Sequence, residues 1–358
     1  MLDTHREANQ VFWYLQVRSF WGETPEGTVF SHAFCWDVRS NMAVMRSLAK
    51  FAWGTLALNV FVILAGALVR ATGSGAGCGS SWPNCDGQLV PDFGDLAQVI
   101  EYFHRSVSGL ALIAVVMLAM WAFRTTSAGA PLRQAAAWSL ASILGEALIG
   151  AVIVLAEWVA DDASLARAIS VPLHLVNTFL LLGALTMTAW IANGGVVPKR
   201  KVDPTLARHL TIGLGGMVVI AATGAVSALS DTLFPVISLA EGLTADFSQT
   251  SHLLIRLRVV HPIAAVAVGG YVAMIAYRRS LDADGIIQKY GLTVVGIVVT
   301  QIFAGMINVV LLTPIWMQVV HLLLADLLWV VFILFGLAAL SDPINAEQAV
   351  RESRAQVR

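Results

Sequence analysis

The chain has 358 residues, of which 57% are hydrophobic and only 13% charged, and its mean hydropathy is +0.74. About a quarter of the residues in a soluble domain are charged, so the composition excludes an ordinary soluble protein and points to an integral membrane protein. A net charge of -1 with a pI near 6.7 supplies no overall field for nucleic acid, so no nucleic-acid partner is expected.

Residues 1–47 form an N-terminal extension that is aromatic-rich in VFWYLQVRSFWGETPEGTVFSHAFCWD and is expected to lie at the membrane interface or to be disordered. It holds no long apolar stretch followed by a small-residue cleavage site, so no secretory signal is expected and the first span must itself direct insertion. Met42 and Met45 stand just before that span, which makes a misassigned start an alternative origin for the extension.

Apolar runs follow at Phe51–Val69, Val107–Phe123, Ala135–Ala156, Val171–Ala192, Leu210–Leu229, Val259–Tyr277, Tyr290–Leu312 and Ile315–Leu340. Each approaches or exceeds the roughly 20 residues that a helix needs to cross hydrocarbon. Continuous runs lack the alternation of a barrel strand, and backbone groups in lipid must be satisfied within the segment, so the runs predict eight transmembrane helices.

Basic residues set the orientation. Lys50 precedes the first span; Arg124 and Arg133 separate the second and third, Lys199, Arg200, Lys201 and Arg208 the fourth and fifth, and Arg278, Arg279 and Lys289 the sixth and seventh. These segments and both termini are therefore expected in the cytoplasm. The alternate loops carry Asp86, Asp92 and Asp95, then Glu157, Asp161 and Asp162, then Asp231, Glu241 and Asp246, although Arg70, Arg167, Arg256 and Arg258 lie there too.

The first outer loop, GSGAGCGSSWPNCDGQLVP, contains Cys78 and Cys85 on the side facing an oxidising compartment. A turn through Gly79, Pro83 and Asn84 would let the two close a disulfide worth about 2.5 kcal/mol by loop entropy. The pair reads either as a structural staple or as a thiol–disulfide exchange site. Two thiols without a nearby imidazole leave zinc underligated. Cys35 has no partner in the sequence.

Residues 51–192 can be laid beside 210–340 as a weak internal repeat. EYFHRSVSGLALIAVVMLAMWAFR parallels RLRVVHPIAAVAVGGYVAMIAYRR, GEALIGAVIVLAE parallels TQIFAGMINVVLL, and PLHLVNTFLLLGAL parallels MQVVHLLLADLLWVVFIL. The expected architecture is all-α, two four-helix bundles related by an axis along the membrane normal. Its divisions are 1–47, 48–192, a cytoplasmic linker 193–209, 210–340 and a tail 341–358.

His104, His174, His261 and His321 lie early in the second, fourth, sixth and eighth spans, which all run from outside to inside, so the four imidazoles share one depth near the outer face. An ionisable residue in lipid is costly and is usually paired, liganded or functional. Histidine is a common axial ligand of haem iron, so one pair in each half can hold one macrocycle between two parallel helices. The other histidines, His5, His32, His209 and His252, read as unremarkable, with His252 set apart by its outer position.

Glu101 precedes His104 by three residues and shares its helix face, as either a first-turn carboxylate favoured by the helix dipole or a group that moves protons or stabilises positive charge. The corresponding residue before His261 is Arg258. Glu146 in mid-span matches Gln301; both suit polar contacts within a bundle, with a proton relay the alternative for Glu146. Arg70, Arg105, Arg167, Arg256 and Arg258 suit either haem propionates or lipid headgroups.

LVRATGSGAGCGSSWPNCDGQLVP followed by EYFHRSVSGL resembles the haem A synthase family, in particular members with a paired-cysteine outer loop, and the resemblance covers roughly residues 50–340. It is most specific between Arg70 and His104; the C-terminal half matches mainly through RVVHP and QVVHLLLAD, and the N-terminal extension has no counterpart. The resemblance implies oxidation of the C8 methyl of haem O to a formyl group, by successive hydroxylation and loss of water, yielding haem A for terminal oxidases. It assigns His104 and His174 to the substrate porphyrin, Glu101 of the E-x-x-H motif to catalysis, and His261 and His321 to a permanent haem b. Cys78 and Cys85 match the family's cysteine pair, in redox exchange or in positioning the loop. The pathway adds an inner-membrane, multi-pass location among lipid, an electron donor, a haem O farnesyltransferase and oxidase assembly factors as partners, and room for a homo-oligomer. Two other readings use the same histidines: a bis-His membrane cytochrome b, and a haem carrier or transporter.

Overall fold

Long apolar segments in this chain become helices because only a helix satisfies every backbone group within the segment, and polar residues at the segment ends then fix where each helix starts. The structure is a computed structural model that describes residues 32–198 and 202–342, with the backbone alone for 32–41. The sequence expectations for the extension before residue 32, for the side chain of Cys35, for Lys199, Arg200 and Lys201, and for the tail after Asp342 lie outside the described residues.

Ten helices run in chain order: α1 (His32–Ala71), α2 (Leu96–Thr125), α3 (Pro131–Leu155), α4 (Leu165–Ala192), α5 (Pro204–Leu233), α6 (Leu239–Phe247), α7 (Leu253–Leu257), α8 (Val260–Leu281), α9 (Gly285–Val310) and α10 (Ile315–Leu340). No strand occurs among the described residues. Eight spans are long and apolar enough to cross a membrane, with α7 and α8 joined in a single span Leu253–Leu281. The chain is a multi-pass, all-α membrane protein.

The helices extend past the apolar runs where caps allow it. Asp95 accepts a hydrogen bond from the Ala97 amide at 2.6 Å and starts α2 well before the expected Val107, so His104 sits inside a regular helix. Ser164 caps α4 through the Arg167 amide, and Asp203 caps α5 through the Thr205 amide with Pro204 in the first turn. The short helix α6 is not marked by an apolar run in the sequence. Ser238 caps it and Glu241 reaches back to the Ile237 amide at 2.9 Å. Its Leu239, Leu243 and Phe247 recur every fourth residue and are exposed, a stripe suited to the lipid interface.

From Arg46 onward the described residues form one compact unit that holds both sets of spans. Within the first set α2 packs on α3 and α3 on α4; within the second α5 packs on α8, α8 on α9 and α9 on α10. The two sets meet where α4 touches α5 and α10. Trp329 of α10 donates its indole N–H to the Phe179 carbonyl of α4 at 2.8 Å, and the two aromatic rings lie 5.0 Å apart. Gly183 leaves room for Trp329 and Ile333 on the same face. Arg70, at the end of α1, also bridges the sets: it donates to the Ala228 carbonyl and Thr232 hydroxyl of α5, both at 2.6 Å, and to Gln318 of α10 at 2.7 Å.

Candidate functional site

His104, His174, His261 and His321 all fall within the first three turns of their spans, so the four imidazoles lie at comparable depth. In the second set the two rings meet edge to face, with centroids 6.2 Å apart and planes at 83°. Two metal–imidazole bonds of about 2 Å set end to end, plus about 1 Å from each donor nitrogen to its ring centre, separate two centroids by about 6 Å. The spacing therefore fits a single metal centre between His261 and His321. His261 turns Nδ1 toward the Ile220 carbonyl at 3.2 Å, which leaves Nε2 free. Nδ1 of His321 is buried without a partner.

Each imidazole rests on a glycine of the neighbouring helix. A Cβ added at Gly66 would lie 2.9 Å from the His104 ring, at Gly224 2.9 Å from the His261 ring, at Gly305 3.1 Å from the His321 ring, and at Gly150 3.9 Å from the His174 ring. Only at Gly150 would a Cβ find ordinary contact distance. The same sequence offset separates Gly150 from Gly305 as Glu146 from Gln301, and a second offset separates Val62 from Ile220 as Gly66 from Gly224. The Val62 carbonyl faces His104 as the Ile220 carbonyl faces His261, although it completes no hydrogen bond to Nδ1 of His104.

The first outer loop closes over the start of α2. Cys78 and Cys85 are joined by a disulfide and are fully buried. Gly77 sits against the α2 backbone at Ala97 and Gln98, where a side chain has no space. Glu101 is buried beneath this loop: its Oε2 accepts the Cys78 amide at 2.8 Å and its Oε1 accepts Arg105 at 2.6 Å and 3.1 Å. Arg105 also donates to the Ser81 and Asn84 carbonyls at 2.7 Å and 2.6 Å, so one guanidinium clamps the carboxylate to the disulfide loop. A carboxylate has about four acceptor sites, and three donors leave Glu101 capacity for one more.

The matching position in the second set carries the opposite charge. Arg258 is paired with Asp231 at 3.1 Å and with Asp246 at 2.8 Å. Of the other outer arginines, Arg167 donates to the Ala160 and Asp162 carbonyls, Arg70 forms the bridge described above, and Arg256 is exposed.

Some polar groups came together that spacing did not pair. Glu146 places Oε2 2.7 Å from Nδ1 of His174, and Asn177 donates to its Oε1 at 2.5 Å and to the Ser142 carbonyl at 2.9 Å. Gln301 donates to the His321 carbonyl at 3.0 Å, and its nitrogen lies 3.3 Å from Nε2 of the same residue. Asp326 is fully buried in α10, with neither oxygen partnered. The sequence signal for these was a polar residue in the middle of a span, which marks function without naming the partner. Among the remaining histidines, His209 bonds the Tyr271 hydroxyl at 2.7 Å and His252 caps α7 through the Leu254 amide.

A family model described as cytochrome oxidase assembly protein, COX15-CtaA, matches residues 49–95 and 92–333. The chain belongs to this family. The COX15-CtaA match takes in the disulfide loop, Glu101 and all four span histidines. A Thermus thermophilus protein named Protoheme IX farnesyltransferase is 43% identical over 82% of this chain and 48% of its own length. Two proteins named Heme A synthase are also similar: one from Geobacillus kaustophilus, 42% identical over 40% of this chain and 44% of its own, and one from Staphylococcus aureus, 38% identical over 34% and 40%. The chain thus spans about half the length, or less, of the curated relatives it matches.

Proposed function

We propose that this COX15-CtaA member is a haem A synthase of the bacterial inner membrane, which takes haem O as substrate and oxidises its C8 methyl to a formyl group. The carrying observation is an inequality between two histidine pairs: both have glycine-lined neighbours, but only the pair in the first set stands beside a carboxylate locked under a disulfide loop. In this reading His104 and His174 would hold the substrate porphyrin, and His261 and His321 would hold a resident haem b. When bound, that haem would supply one-electron redox chemistry.

The residues of the chain then have distinct tasks. Glu101 takes up a proton or balances positive charge as the methyl is oxidised, and its fourth acceptor site is the one left for that work. Arg105 and the Cys78 amide hold the carboxylate in place, so no reorganisation is required during reaction. The disulfide loop excludes water from the outer end of the site. Gly66 and Gly224 give the rings of His104 and His261 their clearance. We read the common offsets as duplication of one four-helix unit, with the basic loops inside and the histidines near the outer leaflet.

The Thermus relative shares the same segment but extends to about twice its length, and its printed name is that of a farnesyltransferase. We assign that transferase activity to the part of the relative outside the match, because the shared segment also matches proteins named Heme A synthase. A haem O farnesyltransferase is accordingly a fitting partner here.

The test is the haem inventory of the purified chain from a host that makes haem O. The expected result is haem b together with hydroxylated haem O or haem A. Haem b alone, in both sites, would instead support a cytochrome b that passes electrons. Haem without redox activity would support a carrier.

A further inference from the structure

The two histidines that come from α4 and α10 have unlike neighbours. His174 faces a carboxylate, Glu146, at 2.7 Å from Nδ1, and His321 faces the amide of Gln301. The carboxylate is held on its far side by Asn177 at 2.5 Å, one helical turn beyond His174 on the same face, and Asn177 is itself wedged against Gly145. Leu324 stands one turn beyond His321, so the second set lacks both the carboxylate and the amide that fixes it. Gln301 spends its N–H on the His321 backbone carbonyl, and its own oxygen is buried without a partner.

A metal-bound imidazole donates its second N–H to a nearby acceptor, and a carboxylate acceptor makes the ring a stronger electron donor than an amide or a carbonyl does. The Glu146 contact has the distance of a hydrogen bond but not its direction in the present ring orientation. A turn of the imidazole about its Cβ–Cγ bond aligns it, and contacts of this kind tighten when a site is filled. Among the described residues no carboxylate pairs with the other three histidines: His261 meets the Ile220 carbonyl and the Thr223 hydroxyl, His104 the Val62 carbonyl, and His321 the Gln301 amide.

We propose that Glu146 is a positioning residue that accepts the Nδ1–H of His174, strengthens that ring as an iron ligand, and so sets the iron of the first half at a lower reduction potential than that of the second. This rests on the reading of His174 and His321 as iron ligands. Greater electron donation stabilises the ferric state, so the half with the carboxylate is the more easily oxidised. Glu146 thereby distinguishes the two halves electronically, independently of the difference between Glu101 and Arg258. Asn177 keeps the carboxylate from turning away.

The test is a spectroelectrochemical titration of the purified full chain with its haems bound. The component that His174→Ala removes belongs to the first half, and the component that His321→Ala removes belongs to the second. In Glu146→Gln the first component should shift positive by at least tenfold in its ferric/ferrous equilibrium, about 59 mV for a one-electron couple, while the second stays in place. Glu146→Asp should recover part of the shift. Unmoved potentials in Glu146→Gln, with both haems retained, overturn the proposal and leave the ligand assignments standing. A wild-type chain with no component dependent on His174 overturns the ligand assignment and the proposal with it. Should Glu146→Gln fail to accumulate with haem, Glu146→Asp decides alone: a first component that does not move positive overturns the proposal.

Discussion

Glu101→Gln should keep both haems and lose the formyl product. Glutamine has the size and shape of the glutamate, its amide oxygen can still accept the Cys78 N–H, and Arg105 keeps its bonds to the Ser81 and Asn84 carbonyls, so the disulfide loop stays closed. What disappears is the negative charge and the capacity to take a proton. Positioned acid–base groups contribute about 10²- to 10⁴-fold, and haem A output should fall by at least the lower figure. The measurement is chromatography of haems extracted from cells that carry the variant and a haem O source. Normal haem A output, with the variant present at wild-type level, would reduce Glu101 to a clamp for the loop.

His321→Ala and His261→Ala should each abolish the low-spin haem b spectrum. Alanine at position 321 keeps the backbone carbonyl that Gln301 binds, and the His321 imidazole leaves behind no partner at Nδ1, so the fold loses little besides the ligand. His261 gives up its contacts with the Ile220 carbonyl and the Thr223 hydroxyl, both of which remain within α5. Reduced-minus-oxidised spectra of the purified variants are the measurement. Retention of the low-spin signal in both would refute the pairing across the 6.2 Å gap.

Much of this architecture was legible before any coordinates. Each apolar run carries its own helix, because the backbone requirement in lipid acts locally, and eight runs became eight spans. The depth of the four histidines followed from their places near the starts of those runs. Helix starts were less accessible: the run at Val107 concealed about three further turns that depend on the Asp95 cap, and α6 depends on Ser238 and Glu241 rather than on apolar length. The cysteines were close enough in sequence for the turn to suggest their bond, whereas the linkage of that loop to Glu101 joins residues far apart in the chain.

The neighbours of the imidazoles were the least legible part. Gly66 and Gly224 matter because a ring occupies the space opposite them, and nothing in their own surroundings marks that. Glu146 and Gln301 were recognisable as equivalent polar positions, but the distance from His174 to Glu146 depends on how α3 packs on α4. The bridge from Arg70 to α5 and α10 likewise required the packing of the two sets. A guanidinium at an outer span end suits a headgroup, a propionate or a helix carbonyl equally well until its neighbours are known.

The central claim is that this chain converts haem O into haem A, and one comparison tests it most directly. Haems are extracted and separated from a host that makes haem O but no haem A, with and without this chain. Haem A or its hydroxylated precursor, present only when the chain is expressed and absent from Glu101→Gln, is the predicted result. Haem O and haem b alone, from cells in which the wild-type chain is folded and carries haem, would contradict it.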